Sequence, residues 1–354
     1  MSDSLHASIP PSWKTLKCVD SHTCGEPTRV LVEGCPELKG STVAEKRLDF
    51  IDNYDWIRQS LMYEPRGHSD MFGAILVPTS NPNADIGVIF MDHKHYLTMC
   101  GHGTFGVITV CLTLSILKKE SPVTKVVVET PAGLVHGEAN ISDDGVVGLV
   151  TIKNVNAFLY KKDIQVNIPN YPSPISVDIS YGGNFFAIID SKSLSENITK
   201  NRETKSFSQL GKLIRNILNE EEIVHPEYPH IKGVSCVAFY DSQESPEDSK
   251  MDIDKFFRNI VTFGNGQVDR SPCGTGTCAK LAQLYGRGLL KPSEKLCNES
   301  VIGTRFFGEI HSEILVDNQY KGIVPIISGQ ANVTGISTFI IDPNDILKHG
   351  FIIE

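Results

Sequence analysis

The chain has 354 residues, 40% hydrophobic and 21% charged, enough for two domains of ordinary size. Against 42 Asp and Glu stand 33 Lys and Arg, giving a net charge of −9, and basic clusters such as Lys118–Lys119 reach only two residues. That balance excludes a nucleic-acid or anionic-membrane partner from expectation.

The N-terminus, MSDSLHASIPPSWK, has no signal-peptide core, so the chain is expected to be cytoplasmic, with its first dozen residues loose. Apolar spacing predicts a helix over residues 43–62. Residues 84–92 read as a buried strand. The most apolar stretch, Phe105 to Leu117, is 13 residues, too short to cross a bilayer. It is rich in β-branched residues but long for a strand, and a helix buried in a wrap of sheet fits it better. Strands are expected at 125–129, 145–152 and 175–179. The cleanest helix is 206–222, with a stripe of Leu210, Leu213, Ile214, Ile217 and Leu218. Strands follow at 233–239, 259–263 and 322–327, with a polar loop at 241–250 and a helix at 277–290. Strands outnumber helices and no βαβ alternation runs through the chain, so the fold class is α+β with antiparallel or mixed sheets.

Nine cysteines are present, at positions 18, 24, 35, 100, 111, 236, 273, 278 and 297. An odd number in a long cytoplasmic chain argues for free thiols. No CxxC pair occurs, and Cys273-x4-Cys278 is a weak zinc signal, so no metal is expected. Neither a pyridoxal-phosphate lysine motif nor a dinucleotide-binding fingerprint is evident, so no cofactor is expected either.

The chain contains an echo of itself. MCGHGTFGVIT, from Met99, and PCGTGTCAKLA, from Pro272, share x-C-G-x-G-T. Cys100 pairs with Cys273, Gly101 with Gly274, Gly103 with Gly276 and Thr104 with Thr277, at an offset of 173 residues (273 − 100). ETPAGLVHGE, from Glu129, and ESVIGTRFFGE, from Glu299, form a second echo in the same order. Two homologous halves follow, each with its own Gly-rich turn at a helix start. There the backbone N–H groups are free and the helix dipole lowers a thiol's pKa toward neutrality. Cys111, Cys236 and Cys297 read as inert core thiols, and Cys24 and Cys278 as bystanders.

Two facing thiols suit one reaction. A carbon acid held between them loses a proton to one sulfur and gains one from the other, and the pair titrates as a coupled system. The two sets of N–H donors hold a carboxylate and stabilise enolate-like charge.

DSHTCGEPTR (Asp20 to Arg29), EPRGHSDMFGA (Glu64 to Ala74), MCGHGTFG, YGGNFFAI (Tyr181 to Ile188), DRSPCGTGT (Asp269 to Thr277) and the C-terminal TGISTFIIDPNDILKHGFI together resemble the proline racemase family, from about Val19 to Glu354. The resemblance implies a diaminopimelate epimerase-like fold: two pseudo-symmetric halves, each a mostly antiparallel curled sheet around a central buried helix. It implies cofactor-independent racemisation or epimerisation in the cleft between them, and a homodimer. Cys100 and Cys273 match the family's catalytic pair. Gly101, His102, Gly274 and Thr275 match positions around the substrate carboxylate and amine, with His102 and Asp269 on the nitrogen. His22, Glu64, Arg66 and His68 fall in family motifs and are expected to be structural.

The family includes proline racemases, 4-hydroxyproline 2-epimerases and trans-3-hydroxy-L-proline dehydratases. The dehydratases typically replace the second Cys, and residue 273 is Cys, so reversible inversion is the better reading. Phe72 and Phe263 match apolar pocket positions. A ring hydroxyl left unpaired there costs about 1–3 kcal/mol, which favours proline over 4-hydroxyproline. A non-catalytic binding protein on the same fold is the alternative of another class. Cys24 and Cys278 depart from the family pattern, and Cys278 is a candidate for a stress disulfide with Cys273. The halves are expected at 15–175 and 176–336, with 337–354 returning to the first and a connection near 167–173.

Overall fold

The computed structural model describes residues 9–169, 171–194, 204–243 and 253–353. The expected loose start at residues 1–8, Asn170 in the expected connection and most of the polar loop, 244–250, lie outside them. Among the described residues are 18 strands and four α-helices: α1 (Val43–Met62), α2 (Gly101–Thr113), α3 (Lys205–Leu218) and α4 (Gly274–Gly286). The fold is α+β with mixed sheets.

Strand pairing follows one order twice. The first run is Ala331–Ile341, Lys14–Thr23, Glu26–Glu33, Phe72–Val77, Ile86–Asp92, Val123–Thr130, Gly133–Ile141 and Val147–Lys153. Its successive pairings are antiparallel, antiparallel, parallel, antiparallel, parallel, antiparallel and antiparallel. The second run is Ala157–Val166, Ile175–Tyr181, Phe185–Asp190, Val234–Gln243, Lys255–Phe263, Leu296–Glu299, Arg305–Val316 and Tyr320–Gly329. Its pairings have the same seven senses. Tyr320–Gly329 pairs with Ala157–Val166 within its own run and with Val147–Lys153 of the first, joining the two.

One apolar helix packs inside each run. α2 packs on Lys14–Thr23, Glu26–Glu33, Val147–Lys153 and Ala331–Ile341, and α4 on Ala157–Val166, Arg305–Val316 and Tyr320–Gly329. Every residue of α2 from Gly101 to Leu112 is buried, as is α4 from Gly274 to Leu284. Burial on all sides is why neither segment carries a single amphipathic stripe, and in α4 it includes Lys280 and Gln283. Both helices start earlier than apolar content suggests, because their first turns are Gly-rich. Both end on a residue with positive φ, Ser115 and Gly288. There Ile116 N–H bonds Cys111 C=O and Leu289 N–H bonds Leu284 C=O, each at 2.8 Å, satisfying orphan carbonyls.

α1 and α3 are outer helices. α1 begins with a capping box between Thr42 and Glu45 and buries Phe50, Ile57 and Leu61. α3 stops at Leu218, short of the expected 222, and its buried face is Phe207, Leu210, Ile214 and Leu218. Leu213, expected in the stripe, is 45% exposed. No helix among the described residues is long and apolar enough to cross a membrane.

Candidate active site

The repeated motif builds two matching helix starts. Cys100 is the N-cap of α2 and Cys273 that of α4. Thr104 Oγ1 donates to Cys100 C=O at 2.8 Å, and Thr277 Oγ1 donates to Cys273 C=O at 2.7 Å. Gly101 and Gly274 touch backbone to backbone, so the helices meet tip to tip. A Cβ on Gly103 would lie 3.0 Å from Cys100 Sγ, and one on Gly276 equally near Cys273 Sγ. The spacing Cys-Gly-x-Gly-Thr is thus a set of steric requirements around two sulfurs. The match breaks at the caps: Cys100 is extended (φ −137°), whereas Cys273 has φ 62°, a region L-residues occupy only under constraint.

A cavity of about 560 Å³ opens at this junction. Cys100, Gly101, His102, Cys273, Gly274, Thr275, Asp269, Phe72 and Phe263 all line it, so the structure brings together every predicted site residue. Phe72 packs on Phe263 with ring centroids 4.8 Å apart, and edge-on to His102 at 4.6 Å. The two rings, one from each run of strands, make an apolar wall.

His102 Nδ1 and Nε2 lie 3.5 and 3.7 Å from Cys100 Sγ. Burial drives the His102 pKa down to about 3, opposed only by the Pro27 carbonyl, so the ring is neutral near pH 7. Asp269 Oδ1 accepts from Ser271 N–H at 2.8 Å and Ser271 Oγ–H at 2.7 Å. Burial raises its pKa to about 6 despite these donors.

Burial overturns the expectation of thiols lowered toward neutrality. Burial pushes both Cys100 and Cys273 up, and the Asp269 charge adds to this at each. The N–H groups of Gly103 and Gly276 pull the other way and lose. A helix start favours a thiolate only while water still solvates the sulfur, and these two are 5% and 6% exposed.

Cys236, expected to be an inert core thiol, lines the same cavity. Glu26 is a second residue the sequence reading passed over. Fully buried, it accepts the Arg270 N–H at 2.7 Å beside Asp269. Asn184, in the YGGNFFAI motif, donates to Met99 C=O at 2.6 Å and fixes the approach to Cys100. Cys278 is buried elsewhere, where Asn154 Nδ2 donates to its sulfur at 3.2 Å. Cys273 lines the cavity and Cys278 does not, which argues against the expected stress disulfide. His22 and His68 accept backbone N–H groups, and Arg66 donates to Lys348 and Ile340 carbonyls.

The crystal structure of a hydroxyproline epimerase from Agrobacterium vitis with bound trans-4-hydroxy-L-proline superposes with a TM-score of 0.88. It is 31% identical and covers 96% of each chain. The fold and the paired thiols define a cysteine-dependent amino-acid racemase or epimerase. The proline racemase of Acetoanaerobium sticklandii is 44% identical over 339 residues, 96% of this chain and 98% of that protein. The 4-hydroxyproline epimerase of Brucella suis is 41% identical over 337 residues, 94% and 97% of the two chains. The chain belongs to the proline racemase family, whose profile matches residues 18–352.

Proposed function

We propose that the chain interconverts L- and D-proline without a cofactor, with Cys100 and Cys273 as the two acid–base groups. One observation carries the reading: two Cys-capped helix starts abut at Gly101 and Gly274 and share one cavity walled by Phe72 and Phe263. Proline lies between the sulfurs, its carboxylate on the first-turn N–H groups at Gly101, His102, Gly274 and Thr275. Its amine sits between Asp269 and neutral His102. One cysteine, as thiolate, takes the Cα proton, and the other, as thiol, gives a proton to the opposite face. The states are then exchanged, ready for the reverse substrate. The bound ammonium offsets the Asp269 charge, which adds to burial in raising both thiols.

The apolar wall favours proline over 4-hydroxyproline, whose ring hydroxyl finds no partner on two phenyl rings. Comparing L-proline, trans-4-hydroxy-L-proline and trans-3-hydroxy-L-proline side by side tests this. Inversion of proline with the highest kcat/KM is expected. A faster epimerisation of 4-hydroxyproline, a cyclic imine from the 3-hydroxy compound, or no turnover of any with thiols reduced would each overturn it.

The proposal includes two pseudo-symmetric halves, 15–175 with 337–354, and 176–336. The repeated pairing senses support it, with one adjustment. Ala157–Val166 pairs with Ile175–Tyr181 and Tyr320–Gly329, so we propose the division at the link between Lys153 and Ala157. The returning segment likewise starts at Ala331, the first residue paired to Lys14–Thr23. A homodimer in the cytoplasm completes the reading, and light scattering tests the dimer.

A further inference from the structure

We propose that Glu26 is a positioning residue that carries the proton of a buried Glu26–Asp269 pair, leaving Asp269 as the single negative charge offered to the substrate amine. The inference rests on the racemase reading above for its functional meaning, though not for its test.

Glu26 is 0% exposed, and its surroundings do not support a carboxylate. Oε2 accepts one hydrogen bond, from the Arg270 N–H, and Oε1 has no hydrogen-bond partner. The Arg270 guanidinium stays 3.9 Å from Oε1, because Asp70 holds it at 2.6 Å and the Val268 carbonyl at 3.0 Å. An ionised carboxylate has about four acceptor sites to satisfy, and leaving most of them dry inside a protein is costly. Protonation removes that cost.

Asp269 is placed differently. The peptide group that donates to Glu26 is the one joining Asp269 to Arg270, so the two acids flank a single amide. Asp269 receives two donors from Ser271, which favour its charged form. Two neighbouring buried carboxyls do not both ionise readily, and the better-solvated one takes the charge. The charged and titratable groups around Glu26 are Asp269, Arg270, Asp70 and Cys100. Burial is the largest cause of its raised pKa and the Asp269 charge the next.

The consequence reaches the reacting sulfur. A charge on Glu26 disfavours the Cys100 thiolate, and so does a charge on Asp269. With Glu26 neutral, the substrate ammonium has one carboxylate to cancel instead of two. Glu26 therefore sets how much negative charge Cys100 must work against.

Infrared spectroscopy of the substrate-free chain reads this directly. The wild type, Glu26→Gln and Asp269→Asn are compared at neutral pH for the carbonyl stretch of a protonated carboxylic acid. The expected result is a band in the wild type that is lost in Glu26→Gln and kept in Asp269→Asn, because burial, the larger cause, remains when the Asp269 charge is removed. Absence of the band from the wild type, or its loss in Asp269→Asn and retention in Glu26→Gln, overturns the proposal. No substrate is present, so this outcome stands whether or not the chain racemises proline. A second readout is the pH profile of proline kcat/KM. Gln cannot ionise, so the ratio of alkaline to neutral activity is expected to rise at least threefold in Glu26→Gln. An unmoved ratio would mean that Glu26 only fills space.

Discussion

Gly101 and Gly274 stand so close that a Cβ on the first would fall 2.5 Å from the Cα of the second. Reversed, the distance is 2.6 Å. No side chain fits at either position without parting the two helix starts. Gly101→Ala and Gly274→Ala are each expected to cost about 1–3 kcal/mol of stability, as overpacking does. They should also lower kcat/KM at least tenfold, because the sulfurs move apart. Gly335, with no atom within 4 Å of its would-be Cβ, is the control. Urea midpoints and racemisation rates check the three variants, and a Gly101→Ala chain with both values of wild type would contradict the account.

The Phe72–Phe263 wall makes the second prediction. Phe263→Ser opens room and supplies a hydroxyl, so the ratio of kcat/KM for trans-4-hydroxy-L-proline to that for L-proline should rise. Relief of an unpaired hydroxyl, about 1–3 kcal/mol, corresponds to at least about fivefold. An unchanged ratio would show that the wall does not choose the substrate.

His102 makes the third. Its pKa falls from 6.5 unfolded to about 3 folded. Below pH 6.5 the unfolded chain binds a proton the folded chain refuses, so stability is lost as pH drops through that window. At about 1.4 kcal/mol per unit, the full loss is about 5 kcal/mol. His102→Asn, which cannot titrate, should flatten the fall in denaturant midpoint between about pH 6.5 and pH 3. Equal slopes in the two chains would contradict it.

The fourth concerns oxidation. Cys278 is bonded by Asn154 and lies outside the cavity that Cys273 lines, so peroxide treatment should yield no Cys273–Cys278 bridge. Peptide mapping by mass that finds this bridge would refute the geometry.

Much of the site was legible because the motif positions are steric necessities. Gly101, Gly103 and Thr104 each answer a contact, and the same contacts recur at Gly274, Gly276 and Thr277. Duplicated constraints leave a duplicated sequence. Other features left no such mark. A cavity wall and a core strand share one apolar signature, so Cys236 read as packing. The hydrogen-bond partner of Glu26 is Arg270, 244 positions away, and no local pattern encodes that contact. The thiol pKa direction depends on burial, which helix-start chemistry alone does not reveal. Among the strands, Ala331–Ile341 was missed because Ile336 and Ile340 sit on its exposed face, 60% and 36% accessible, and blur the alternation.

The central claim, that two thiols work on opposite faces of one carbon, is tested most directly with L-proline in heavy water. The wild type should form D-proline carrying deuterium at Cα, and Cys100→Ser and Cys273→Ser should each invert proline at least ~100-fold more slowly. Wild-type inversion by either single variant would contradict the two-thiol mechanism.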